Sequence, residues 1–115
     1  MNHTKKTLEK AMEMNKRLEQ ESTHLFQGYL DSQKNYYHKG EISDKFKQLM
    51  AVCAAVAVRC TPCIINHTNK ALKAGATRQE VIESAAVGVE LGGGPSLVLV
   101  RNRLIDILDD LENEV

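Results

Sequence analysis

Two thiols and an imidazole meet in one short stretch, Cys60-Thr61-Pro62-Cys63 followed by His67. Such a set suits thiolate chemistry. Thr61 reads as an N-cap, because its hydroxyl can accept from an unpaired backbone N–H, and Pro62 reads as the first helical residue, where a missing donor costs nothing. Cys63 is then the second helical residue, among free N–H groups at the positive end of the helix dipole, which favours its charged form and raises its reactivity. His67 stands one turn along on the same face, placed to take up or return the proton. Cys60, separated from Cys63 only by Thr61 and Pro62, is close enough for a short reversible disulfide.

Two plainer readings compete. A C-x-x-C pair is half of many zinc sites, but a tetrahedral structural site needs four ligands, and the remaining chain adds only Cys53 and three scattered histidines. Buried cysteines with no chemical role are the usual state of a lone Cys; here the pairing, the helix start and the histidine at i+4 argue against it. Cys53, inside an apolar helical run, does read as an inert core residue. No metal and no organic cofactor is expected.

The elements that must hold this stretch are all helical by periodicity. Thr4 to Gln20 is highly charged, with Leu8, Ala11, Met14 and Leu18 as a narrow apolar stripe. Leu25, Phe26, Tyr29 and Leu30 predict a second, short helix, and Asn35 to Gly40 a loop. The loop carries Tyr36, Tyr37 and His38, read as packed or half-exposed, with a pocket wall as the lesser alternative. Ser43 predicts the N-cap of a buried helix bearing Phe46, Leu49, Met50, Val52, Cys53, Val56 and Ala57 and ending near Arg59. The C-x-x-C helix follows, with Ile64, Thr68, Ala71 and Leu72 on one side and Gly75 as its stop. Thr77-Arg78-Gln79-Glu80 has the form of a capping box before Val81, Ile82, Ala85, Ala86 and Val89. Gly92-Gly93-Gly94-Pro95-Ser96 lacks the Lys-Ser/Thr ending of a phosphate loop and reads as a close helix–helix corner. A last helix repeats Leu97, Val100, Leu104, Ile107, Leu108 and Leu111.

The chain has the length of one domain, residues 1–115, with 1–40 as an N-terminal helical extension and 41–112 as the core that bears the C-x-x-C helix. Lys and Arg number 15, as do Asp and Glu, and the signs are interspersed, which speaks against a nucleic-acid groove or an anionic membrane surface as partner. The absence of tryptophan argues against base-stacking or sugar-binding walls. The polar N-terminus has no apolar secretion signal and no window approaches a membrane span, so a cytoplasmic protein is expected, where C-x-x-C pairs serve redox or catalysis more than structure. The two Asn-His-Thr sequons carry no weight without a secretion route. The long aliphatic seam of the last helix exceeds what one face needs, which predicts a homo-oligomer.

Taken together, Lys47-Gln48-Leu49-Met50, Cys60-Thr61-Pro62-Cys63-Ile64-Ile65-Asn66-His67-Thr68, Ala71-Leu72-Lys73-Ala74-Gly75-Ala76, Glu80-Val81-Ile82-Glu83-Ser84-Ala85 and Gly92-Gly93-Gly94-Pro95 resemble the carboxymuconolactone decarboxylase and AhpD-like alkylhydroperoxidase family over roughly residues 41 to 110. The resemblance implies an all-α, AhpD-like fold of about six helices that assembles through apolar faces into trimers or hexamers. It also implies thiol-dependent reduction of hydroperoxides, with Cys63 as the attacking thiol, Cys60 as the proton donor and resolving thiol, and His67 in the proton relay. The partners implied are a hydroperoxide substrate and a thiol or dithiol reductant protein. Peroxidase members that resemble this chain carry a glutamate where Gln48 stands here. An amide orients a partner by hydrogen bonding but cannot hold a proton. Glu41, Asp44 and Glu90 are the candidates to replace that acid, and a plain helix-surface position is the alternative for Gln48.

The leading expectation is therefore a cofactor-free hydroperoxidase that cycles through sulfenic acid and disulfide. Lactone decarboxylation, the rival that the family name suggests, has no use for a redox dithiol. A non-enzymatic dithiol sensor or oligomeric binding protein is the third reading, kept open by Gln48.

Overall fold

The side chains that the sequence sets at helix starts do cap them. The computed structural model describes residues 1–113, and over these the chain is all-α. Ser43 Oγ accepts from the Phe46 N–H at 3.3 Å to open α3 (Asp44–Val58), and Thr77 and Glu80 form the reciprocal capping box that opens α5 (Arg78–Gly92). Between them runs α4 (Thr61–Lys73), left through Gly75 at φ 98°.

The N-terminal pair differs in extent from its prediction. Ser22 ends α1 (His3–Glu21) and caps α2 (Thr23–Tyr36), accepting from the Leu25 N–H at 3.3 Å. α2 is longer than its apolar cluster foretold and takes in Tyr36, so the loop begins at Tyr37. α1 is anchored by its first turn: Thr4, 2% exposed, donates from Oγ1 and N to Asp110 Oδ2 at 2.7 and 3.2 Å, and Asn2 Nδ2 donates to the Asp110 carbonyl at 2.7 Å. Beyond Leu8 its stripe is uncovered, with Met14 and Leu18 exposed.

α3 is the central helix, packed against α4 and α5. Leu49, Val52, Ala55 and Val56 fill the core with Ile64 and Ile65 of α4 and Val81 and Ala85 of α5. The α3–α5 approach is close enough that a Cβ on Gly88 would overlap the Cys53 carbonyl oxygen and lie 3.0 Å from Val56 Cβ. Contrary to the expectation of a helix buried on most sides, Phe46 and Met50 of α3 are exposed and Cys53 is half-buried on that same flank, because no element among the described residues covers it. The glycine corner is the close approach predicted for it. Ser96 is fully buried there and donates to the Val56 carbonyl at 2.7 Å.

The last apolar seam is one continuous rod but not one regular helix: α6 (Gly94–Leu99) passes through a π turn (Val100–Leu104) into α7 (Ile105–Glu112). Along the rod Leu104, Ile107 and Leu108 are buried while Leu97 is exposed. Among the described residues no helix is long and apolar enough to cross a membrane.

Candidate functional site

Two adjacent residues end α3 and start α4. Arg59 adopts the left-handed conformation (φ 59°, ψ 49°), a position usually given to glycine. The turn is held by the Cys60 N–H bonding Ala55 O at 3.0 Å, and by Arg59 Nη1, which donates to the carbonyls of Ala57 and Gly92 at 3.2 Å each. The N-cap of α4 is therefore Cys60, not Thr61. In its extended conformation Cys60 turns its sulfur onto the Cys63 N–H at 3.3 Å, doing what the Thr61 hydroxyl was predicted to do. Cys63 moves to the third helical position, still within the unpaired N–H groups of the first turn. Cys60 and Cys63 are joined as a disulfide with Cα atoms 5.2 Å apart.

His67 lies one turn along α4, half-buried, and Gln48 meets it from α3. The Gln48 side chain is 4% exposed, so the helix-surface alternative fails, and its Oε1 lies 2.8 Å from His67 Nδ1. An amide oxygen only accepts, so Nδ1 carries the proton and Nε2 is left as the basic nitrogen. Burial, then the charge of Lys70, lower the His67 pKa, so the ring is neutral at neutral pH. Tyr37 stacks on this imidazole, ring centroids 5.7 Å apart and planes 21° from parallel. Its own hydroxyl is kept un-ionised by burial, then by Tyr29 and Asp44.

Cys63 and His67 line two clefts at once. One, of about 550 Å³, is walled by Tyr29, Gln33, Tyr36, Tyr37, Ile42 and Met50, with Lys47 at its edge. The other, of about 540 Å³, lies between α1, α2 and α4 and shares Tyr29 and Gln33 with the first. Among the described residues neither lining contains a carboxylate: Glu41, Asp44 and Glu90 are absent from both, although Asp44 is near enough to act on Tyr37. The four predicted residues Cys60, Cys63, His67 and Gln48 do come together. Tyr37 is the neighbour that sequence reasoning left as loop; its signal was the tyrosine pair beside a helix end. Cys53 lies apart, in an apolar cleft of about 380 Å³ between α3 and α5, and is not the sealed core residue expected.

Residues 21–104 match the sequence profile of the carboxymuconolactone decarboxylase family, beginning well before the motif-bearing stretch at residue 41. The chain belongs to that family. An uncharacterized protein of Cupriavidus necator is 37% identical over 65 residues, 56% of this chain and 58% of that one, so the match spans under two-thirds of the relative's length. An uncharacterized protein of the cox locus of Paracoccus denitrificans is 29% identical over 73% of this chain and 75% of its own. Among solved structures, a carboxymuconolactone decarboxylase family protein from Legionella pneumophila superposes with a TM-score of 0.84 at 27% identity, covering 96% of each chain. A Thermotoga maritima protein does so with 0.79 at 25% identity, over 87% of this chain and 89% of that one. In this chain the fold brings the disulfide, the imidazole and the buried amide together.

Proposed function

We propose that this family member is a thiol-dependent hydroperoxidase whose dithiol cycles between Cys60–Cys63 disulfide and two thiols. The observation that carries the reading is a disulfide at the mouth of α4 whose Cys63 lines two clefts together with the His67 imidazole. In the reduced chain His67 Nε2 takes the Cys63 proton, and the thiolate attacks the terminal peroxide oxygen. The O–O bond breaks, the leaving alkoxide recovers the proton from the imidazolium as alcohol, and Cys63 becomes a sulfenic acid. Cys60 then attacks the Cys63 sulfur, its proton leaves with the hydroxyl as water, and the disulfide forms. A thiol or dithiol reductant protein supplies the two electrons that reopen it, which suits a reducing compartment such as the cytoplasm. Gln48 serves as an orienting acceptor in place of a relay acid.

The exposed Phe46, Met50, Val87 and Leu91 on the α3–α5 side support assembly of this chain with copies of itself, a trimer or hexamer, which light scattering tests. Stopped-flow consumption of an alkyl hydroperoxide with dithiothreitol as reductant tests the chemistry. Turnover that stops in Cys63→Ser is expected; undiminished turnover in that variant refutes the assignment. The lack of any carboxylate in the clefts favours one second reading, a dithiol sensor. Oxidation once per chain, without cycling when reductant is supplied, is its signature.

A further inference from the structure

A hydrogen bond at one ring nitrogen leaves an imidazole free to tilt about that bond. Gln48 supplies the in-plane contact at Nδ1, and the Tyr37 ring supplies a second contact from the face. The two contacts, one at a ring nitrogen and one from a nearly parallel aromatic ring, restrain the imidazole together. Tyr37 is itself braced. It caps the C-terminus of α2, its N–H bonds the Gln33 carbonyl at 3.0 Å, and Lys47 Nζ donates to the carbonyls on either side of it, Tyr36 at 3.5 Å and His38 at 2.7 Å. Consecutive residues of α3 therefore reach His67 by two routes, Gln48 directly and Lys47 through the backbone that carries Tyr37.

We propose that Tyr37 is a positioning residue for His67: its ring packs against the imidazole, shields it from water and keeps Nε2 turned to the cleft shared with Cys63. The inference deepens the hydroperoxidase reading and rests on it for its kinetic part only; the imidazole's titration is a property of the fold alone. The phenol ring, not its hydroxyl, does this work, since it is the ring that lies on the imidazole. The titratable and charged groups facing His67 are Lys70 from α4, Lys47 from α3, and Tyr29, Tyr36 and Tyr37 from the α2 side, with Asp44 of α3 acting on Tyr37; Cys63 is held in the disulfide. Water entering beside the ring favours its charged form.

The test compares Tyr37→Ala and Tyr37→Phe in the full-length chain. The His67 ring signals are followed by NMR against pH in the disulfide form, and peroxide consumption is measured in parallel. In Tyr37→Ala the titration midpoint rises toward that of an ordinary imidazole, and kcat falls about tenfold with its pH profile displaced the same way. Tyr37→Phe keeps the wild-type midpoint and rate. A midpoint unmoved in Tyr37→Ala overturns the proposal, as does Tyr37→Phe behaving like Tyr37→Ala, which would transfer the role to the hydroxyl. If no variant, wild type included, consumes peroxide, the NMR arm still decides the positioning role while the hydroperoxidase reading falls.

Discussion

Gln48→Glu places a carboxylate where an amide now meets His67, and its effect can be worked from the geometry. With the atoms 2.8 Å apart, the charge centres of a carboxylate and an imidazolium lie about 4 Å from each other, worth about 4 kcal/mol at the effective dielectric of ~20 suited to proteins. Position 48 is 4% exposed, so much of this is spent desolvating the new carboxylate, leaving about 1.5–3 kcal/mol. That is a roughly ten- to hundredfold gain in the affinity of His67 for a proton. NMR titration of the four histidines, with His67 assigned by its disappearance in His67→Gln, reads the shift directly. The variant also acquires an acid that can support the imidazolium as Cys63 is deprotonated. Peroxide consumption should rise by about tenfold above the new midpoint. The added proton affinity also offsets the loss of stability on acidification that the lowered His67 pKa brings to the wild type. A His67 midpoint that stays put, or falls, refutes the Gln48–His67 pairing.

Three other outcomes follow from the packing and the charges of the fold. In the wild type, burial and Lys70 lower the His67 pKa, so its contribution to stability is present above ~6.5 and lost as pH falls through the folded value. Urea midpoints should drop more on acidification to about pH 5.5 in wild type than in His67→Gln, and equal drops would refute this. Gly88→Ala drives a Cβ into the Cys53 carbonyl between two packed helices and should destabilise by about 1–3 kcal/mol, seen as a lower thermal midpoint. Thr4→Val removes the hydroxyl that donates to Asp110, and a loss of about 1.5–3 kcal/mol in urea unfolding is expected.

What the sequence made legible was local. Ser43, the Thr77–Glu80 box and Gly75 act on backbone groups within a few residues, so their types and spacing sufficed. The dithiol was equally visible. The N-cap was misplaced by one residue because a hydroxyl is the commoner acceptor, whereas here the Cys60 sulfur takes that bond. Periodicity told which side of α1 is apolar but not whether anything covers it, and most of that stripe is open. The π turn was hidden because one wide turn leaves the spacing of apolar residues nearly unchanged. The site's defining contacts join distant segments: Gln48 and His67 are 19 residues apart, and Tyr37 arrives from another helix end. The family resemblance pointed to Gln48 and His67 as members of one site, whereas nothing in the sequence placed Tyr37 beside them.

α2 has no buried residue and packs chiefly on α1, yet it supplies Tyr29, Gln33 and Tyr36 to the wall before the dithiol. Amide hydrogen exchange should therefore strip this segment long before α3, whose core contacts open only with the whole domain. The disulfide lies behind a wall that can open locally while α3 and α4 stay folded. Changes in the wall's sequence thus alter access to the disulfide and leave the bond in place.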